Sequence, residues 1–229
     1  MKNRKLYIRL TSVLALMFIA LALNSKASPA SIVAAANGAR PNSPSFVFPS
    51  ELKAQVTGRQ SPYSAYTRVT DNEEKISMEI PVEWNDIETG AWTYKGRNVG
   101  VFVAASGNLA NFYSTHSQPG VFIGVSHALA NAYGKDGLLG LEKRDHSQCH
   151  YNGRFDYQNL FYKGQYDHYA NCTDGAPNLL VFTTASADGK YLILLRIVVV
   201  SNADVEAATT IFNTFQVLGN PERDDHHGP

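Results

Sequence analysis

The chain has 229 residues, with 20 Lys and Arg against 20 Asp and Glu and a formal net charge of zero. This balance gives neither the basic footprint of a nucleic-acid-binding protein nor a polybasic patch for a membrane surface. The two cysteines are too few for the paired CxxC pattern of a structural zinc site.

The first segment, residues 1–27, is typical of a secretory signal peptide. A basic start precedes the largely apolar run LTSVLALMFIALAL at 10–23, which is shorter than the roughly 20 residues of a membrane span. Small residues place the cleavage after Ala27, with Ala22 and Ala30 as alternatives. In another alternative the segment is not cleaved and remains as an N-terminal anchor helix. Cleavage removes five basic and no acidic residues, which leaves a net charge of −5. The sequence predicts a secreted or extracytoplasmic protein with no membrane span after cleavage.

Two segments of low complexity flank a stretch of domain size. Residues 28–65 are rich in Ala, Ser, Pro and Gly, a composition that predicts a flexible linker. Within the linker, FVFP at 46–49 is apolar enough to dock on the domain or on a partner. Residues 220–229 form a polar tail. The remaining stretch, 66–219, has the length of one domain with a single core.

The domain alternates short apolar runs with turn residues, which predicts strands and a few helices. Strands are expected at 76–81, 99–106, 120–126, 178–186 and 191–200. Helices are expected at 108–113 and 136–146 and after Ser201, which has capping-box spacing to Asp204. Because most strands follow one another with few crossovers, we predict an α+β fold in one domain, a mainly antiparallel sheet with helices packed on it.

The stretch from 149 to 172, CHYNGRFDYQNLFYKGQYDHYANC, predicts a disulfide-bonded hairpin. If Cys149 faces Cys172, Arg154 lies opposite Asp167 and the hairpin has one aromatic and one polar face. An oxidising compartment then favours a disulfide. We expect an inward aromatic face of Tyr151, Phe155, Tyr157 and Tyr166. We expect the outward face to bind a partner through Arg154, Asp156, Asp167 and Tyr169.

The sequence indicates neither a metal site nor a cofactor. His146, Cys149 and His150 have the spacing of metal ligands, but a disulfide sulfur has no thiolate to offer. No Walker loop, Rossmann fingerprint or EF-hand loop is present in the sequence. We therefore predict no metal and no cofactor.

One segment partly matches a hydrolase motif. Gly124-Val125-Ser126-His127-Ala128 has the outline of a nucleophile elbow, but an alanine stands where the second glycine is needed. In this alternative the chain is a diverged serine hydrolase with Ser126 as nucleophile. Its candidate partners are His116, Asp145 and His146. The other interpretation of Ser126 is a helix N-cap.

Arg196 interrupts the apolar run at 191–200. A charge in a buried strand is costly unless it is paired. Arg196 is therefore expected either to pair with a carboxylate or reach the sheet edge, or to line a pocket for an acidic ligand. The pocket alternative predicts a binder of small molecules or anions near Arg196.

The order of these segments resembles an exported bacterial domain of the PsbP-like α/β/α sandwich type. The resemblance covers residues 66–219 and is carried by IPVEW, VGVFVAAS, PGVFIGVS, the stretch from 149 to 172 and TIFNTFQV. Such domains occur alone or beside trypsin-like serine peptidases. The chain has no Gly-Asp-Ser-Gly-Gly motif, so no catalytic residue is carried over. The resemblance implies a secreted, non-catalytic accessory or protein-docking domain of the bacterial envelope, with an envelope or secreted protein as partner.

Overall fold

The computed structural model describes residues 46–48, 61–159, 161–172 and 178–218. The predicted signal peptide, the polar tail and most of the predicted linker lie outside the described residues, so these boundaries stay predictions. None of the helices formed by the described residues has the length and apolar character that a membrane span requires.

The described residues form ten β-strands in two antiparallel sheets. The strands are β1 (Tyr66–Thr70), β2 (Ile76–Pro81), β3 (Asp86–Tyr94), β4 (Arg97–Ser106), β5 (Gly120–Ser126), β6 (His150–Gln158), β7 (Lys163–Ala170), β8 (Asn178–Ala185), β9 (Leu192–Val199) and β10 (Gln216–Val217). The smaller sheet has the order β1-β2-β10, and the larger has the order β3-β4-β5-β9-β8-β7-β6. The outer strands of the larger sheet are therefore β3 and β6.

Three helices lie within the described part of the chain: α1 (Leu109–Thr115), α2 (His127–Asp145) and α3 (Asn202–Thr214). Side chains cap each of them, although α2 begins nine residues before the helix predicted at 136–146. Asn108 and Ser126 each accept a hydrogen bond of 2.9 Å from a first-turn N–H. Ser201 and Asp204 form a capping box at α3. Gly134, with φ of 62°, breaks α2 near its middle.

The larger sheet has a different cover on each face. One face packs against α1 and α2, with Leu109, Phe112, Leu138 and Leu139 among the buried side chains. The other packs against α3 and β2, through buried residues that include Ile76, Met78, Ile80, Val205, Ile211 and Phe212. Phe46 and Phe48 also lie in this second core. The FVFP segment thus places two aromatic rings inside the domain.

The predicted fold class, α+β with one sheet between packed helices as in an α/β/α sandwich, is wrong. Among the described residues 47% lie in strands and 25% in helices, and the strands form two sheets. The smaller sheet and α3 together cover one face of the larger sheet, where the prediction expected helices alone. The sequence pattern missed β1 and β3 because most of their side chains are exposed, and such strands show little apolar alternation.

Cys149 and Cys172 form a disulfide, which confirms the prediction. Cys149 directly precedes β6 and Cys172 follows β7, so the disulfide closes the open end of the hairpin. The predicted pairing holds from residue 153 to residue 158, and Arg154 lies opposite Asp167. The alternation of aromatic and polar residues was therefore sufficient to predict most of this register.

The faces of the hairpin differ from the prediction at its disulfide end. A bulge after Tyr151 shifts the pairing by one residue, so that Tyr151 lies opposite Tyr169. A shift of one residue reverses the face, and the expectation that Tyr151 shares the inward face is therefore wrong. Tyr157 and Tyr166 are buried as expected, but Phe155 is 40% exposed, because β6 is an outer strand.

Candidate functional site

A row of paired residues crosses the larger sheet on the face that α1 and α2 cover. Each residue of the row lies opposite the next on the neighbouring strand: Arg154, Asp167, Val181, Arg196, Phe122, Ala104 and Glu88. The row thus brings charged residues beneath helices, where an unpaired charge would be costly.

Arg196 is paired with Glu142 on α2. Its Nε and Nη2 donate to the two carboxylate oxygens at 2.7 and 2.6 Å. Burial alone would raise the pKa of Glu142, but Arg196 and His146 outweigh this effect and hold the pKa at about 2. Glu142 is therefore ionised near neutral pH, and the pair carries no net charge. Arg196 thus has the carboxylate partner that one of the two sequence alternatives required.

Arg196 also lines a cavity of about 70 Å³ beside this pair, at the ends of α1 and α2. Its apolar walls are Phe112, Phe122 and Leu179. Its polar lining consists of Tyr113, His116, His146 and Arg196. This cavity is called the α1–α2 pocket below. Arg196 Nη1 donates to no other residue that the structure describes, so one edge of the guanidinium is available for a ligand.

His146 is the buried polar group of the pocket that lacks satisfactory partners. Only 7% of the residue is exposed. Its Nε2 lies 3.5 Å from Glu142 Oε2, a long contact, and its Nδ1 makes no hydrogen bond within the described part of the chain. A buried polar atom without a partner costs about 1–3 kcal/mol. A ligand that bonded to this ring would recover that cost.

His116 and Tyr113 complete the polar lining from α1. His116 follows the helix in the left-handed region, with φ of 52°, and its ring centroid lies 5.7 Å from that of His146. Burial, followed by the proximity of His146 and Arg196, lowers the pKa of His116. The Tyr113 hydroxyl donates to Glu88 at 3.3 Å, and burial together with Glu88 raises the pKa of Tyr113.

Ser126, the nucleophile of the hydrolase alternative, is fully buried. Its hydroxyl donates to the Val99 carbonyl at 2.5 Å and accepts from the Leu129 N–H at 2.9 Å. Among the described residues no histidine or aspartate bonds to it. Two of its predicted partners, His116 and His146, line the α1–α2 pocket instead.

The predicted outward face of the hairpin is largely covered. Asp167 and Tyr169 are 0% and 1% exposed, and the expectation that they face outward is wrong because α2 packs over this part of β7. Asp167 accepts hydrogen bonds from Arg154 at 2.7 and 2.9 Å. The hydroxyls of Tyr151 and Tyr169 also donate to its carboxylate. Each carboxylate oxygen of Asp167 therefore accepts two hydrogen bonds.

Arg154 and Asp156 differ from these two residues, since both are exposed on the outer strand. The Arg154 guanidinium is held by its bidentate pair with Asp167. Asp156 accepts a hydrogen bond of 3.2 Å from Gln165. The accessible part of the predicted partner surface is thus reduced to the edge of the sheet.

The described residues contain no cluster of three His, Cys, Asp or Glu side chains with the geometry of a metal site. In the α1–α2 pocket, a cation would also lie beside the Arg196 guanidinium. The charge of the pocket therefore favours a ligand with hydrogen-bond acceptors over a metal ion.

Sequence reasoning missed Glu142 and Tyr113. A signal for Glu142 was available, because Leu138, Leu139, Glu142 and His146 fall on one stripe of a helix. All four are buried. Two polar residues on an apolar stripe indicate a buried polar partner, which here is Arg196. No comparable local pattern indicates Tyr113.

No family model matches the chain, and no curated protein matches it in sequence. Among solved structures, it is similar to the solution structure of cyanobacterial PsbP (CyanoP) from Synechocystis sp. PCC 6803, with a TM-score of 0.43 and 14% identity over 71% of this chain and 99% of that chain. It is also similar to the Saccharomyces cerevisiae Ran-binding protein Mog1p, with a TM-score of 0.39 and 7% identity over 67% and 95%. The first is a PsbP protein, the group that the sequence resembles. Neither similarity is strong enough to carry an argument about binding or activity.

Proposed function

We propose that this chain is an exported, non-catalytic binding domain of the bacterial envelope whose binding site is the α1–α2 pocket. The observation that carries the proposal is His146, which is more than nine-tenths buried, lines a cavity beside Arg196 and has a ring nitrogen without a hydrogen-bond partner in the described chain. Such an atom is costly in a merely structural cavity and useful in a binding site.

Export is supported by two independent features. The N-terminal segment has the pattern of a signal peptide, and the disulfide between Cys149 and Cys172 is typical of proteins outside the cytosol. The secreted form should begin near Ser28. Its intact mass should be about two daltons below the reduced value, because a disulfide lacks two hydrogens.

A binding rather than a catalytic role is supported by the residues of the pocket. The described residues that line it include no serine, threonine or cysteine, the usual nucleophiles of covalent catalysis. The buried hydroxyl of Ser126 is occupied by the cap of α2. The Arg196–Glu142 pair holds the floor of the pocket in a fixed geometry, as recognition requires.

The experiment is an NMR screen of the secreted protein with a panel of small polar molecules, observed through the histidine ring signals. We expect at least one class of molecule to shift the signals of His116 and His146 together. His146→Phe should abolish these shifts. His150→Ala, which removes an exposed histidine outside the pocket, should preserve them. A panel that leaves both rings unchanged contradicts the proposal.

Docking of a protein partner is a second candidate function. A groove of about 420 Å³ lies between the tips of the β6–β7 and β8–β9 hairpins. Phe161, 46% exposed, lies in it with Lys135 and Lys163, and aromatic side chains such as Phe are enriched at protein interfaces. In affinity capture from the native envelope fraction, Phe161→Ser should lose a partner that His146→Phe retains. If both variants still capture the partner, this candidate function is contradicted.

A further inference from the structure

We propose that the α1–α2 pocket binds a single carboxylate group and that one of its histidines takes up a proton on binding. The inference rests on the proposed function and names its ligand class. The carboxylate belongs either to a small free acid or to the C-terminus of a peptide chain, and the experiment below distinguishes these sources.

The available groups of the pocket favour a ligand that accepts hydrogen bonds. Arg196 Nη1 can only donate, and an imidazole donates through at least one nitrogen. The Tyr113 hydroxyl already donates to Glu88. A carboxylate offers two acceptor oxygens in a plane, which matches a guanidinium edge and a neighbouring ring N–H. A neutral amide would leave one of its N–H groups facing these donors.

The charge balance limits the ligand to one negative charge. Of the charged and titratable groups around the pocket, Tyr113, His116, His146 and Arg196 line it, and Glu142 is paired with Arg196. Asp86 and Glu88 of β3 and Asp145 of α2 lie outside the lining and are exposed, so that solvent screens their charges. Arg196 and Glu142 neutralise each other. One carboxylate and one imidazolium restore neutrality, whereas a sulfate or phosphate dianion would leave a buried negative charge.

The size and walls of the cavity limit what can accompany the carboxylate. Its volume of about 70 Å³ admits a group of about five heavy atoms, since a cavity needs about 10–15 Å³ of this kind of volume to hold one water. Phe112, Phe122 and Leu179 line the rest of the cavity. These walls suit a short apolar group such as the ethyl chain of propionate.

Proton uptake gives the binding a defined pH dependence. In the free protein, burial and then the neighbouring His146 and Arg196 lower the pKa of His116. A bound carboxylate would raise the pKa of the ring that it contacts. Affinity is then fully present below the pKa of the free ring. It falls by about tenfold per pH unit as the pH rises from that value to the pKa of the bound ring.

The experiment titrates the secreted protein with acetate, propionate, propionamide and sulfate between about pH 5.5 and about pH 7.5, by calorimetry and by NMR of the histidine rings. We expect the two carboxylates to bind through His116 and His146, more weakly as the pH rises, with neither propionamide nor sulfate binding there. His146→Phe should lower the affinity for propionate by about tenfold or more, and His150→Ala should leave this affinity unchanged.

Two further ligands identify the source of the carboxylate. A short peptide with a free C-terminus and its amidated form carry the same side chains. If the free peptide binds about tenfold more tightly than propionate and the amidated peptide does not bind, the natural carboxylate is a chain end. If propionate binds and neither peptide does, the ligand is a small acid.

The failures are distinguishable. Binding of propionamide or sulfate at the two histidines, or affinity that does not change with pH, overturns the carboxylate proposal and leaves the pocket as a binding site. If none of these ligands and no molecule of the wider screen shifts the ring signals of His116 and His146, both proposals are overturned.

Discussion

Glu142 and Asp167 are buried carboxylates, and each accepts two hydrogen bonds from a single arginine. Asp167 gains two tyrosine hydroxyls as well, whereas Glu142 has a long contact with His146. The two clusters have similar chemistry, and the Glu142 cluster also lies beside the α1–α2 pocket, whose lining includes Arg196 and His146.

Glu142 should make the stability of the protein depend on acid pH. Its pKa is about 2 in the folded state against an ordinary value of 4.5. The lowered pKa contributes about 3 kcal/mol, fully present above pH 4.5 and lost as the pH falls towards 2. Urea unfolding at several pH values should show Glu142→Gln less stable than wild type near neutral pH, with the difference shrinking over this window. The exposed-site variant Glu206→Gln should show no such change, and a constant difference for Glu142→Gln contradicts the assignment.

The sequence predicted that Arg196 requires a partner but not which one. The cost of a buried charge is a local property that a single residue reveals. Glu142 lies 54 residues earlier in the chain, and the contact depends on how α2 crosses the sheet. His116, His146 and Arg196 meet in one pocket through the same packing. The sequence had instead placed the two histidines in the hydrolase alternative and Arg196 in a separate one.

At the scale of elements, β3, β4 and β5 show how a small residue sets the packing of a sheet. Trp92 of β3 is 7% exposed and contacts Phe122 of β5 with ring centroids 5.7 Å apart. Its ring lies directly over Gly124, which therefore has a packing role. The first glycine of the partial hydrolase motif makes room for an aromatic ring.

Gly124→Ala should destabilise the protein. The added Cβ would lie 2.6 to 2.9 Å from three atoms of the Trp92 ring, and overpacking of this kind costs about 1–3 kcal/mol. Gly140→Ala is the matched control, because its Cβ would meet nothing within 4 Å on α2 and should stabilise by up to about 1 kcal/mol. Urea unfolding measures both. Equal stability of the two variants would show that Trp92 can move aside.

Elements with strong local signals were predicted best. Asn108, Ser126 and the Ser201–Asp204 pair act within one helical turn of their own residues, so spacing alone indicated them. The hairpin register followed from alternation of its side chains. The bulge after Tyr151 was not predicted, because a backbone irregularity changes which face a residue occupies without changing the order of residue types.

At the scale of the whole molecule, the smaller sheet and the FVFP segment contribute side chains to the core on one face of the larger sheet. Phe46 and Phe48 are 9% and 3% exposed. The backbone N–H of Phe46 donates to Asn213 Oδ1 at 2.8 Å, and its carbonyl accepts from Asn213 Nδ2 at 3.1 Å. A segment far from α3 in sequence is therefore fixed to this helix. Residue patterns gave no partner for it, because three residues are too few to show a period.

Phe48→Ala should therefore cost about 3–5 kcal/mol, as expected for truncation of a buried aromatic ring. Val47, between the two rings, is 63% exposed, and Val47→Ala should change stability by less than about 0.5 kcal/mol. Chemical denaturation of the two variants against wild type gives the comparison. If Phe48→Ala unfolds at the same urea concentration as wild type, the segment does not contribute to the core.

The outer strand β6 carries a bulge: its pairing with β7 shifts between Tyr151 and Gly153, and Asn152 is the extra residue. The outer side of such a strand offers free N–H and C=O groups to any other extended chain. A bulge interrupts the regular spacing of these groups and increases the local twist. A second molecule therefore cannot add a long strand in register at this edge. The bulge in β6 thus opposes polymerisation through this side of the sheet.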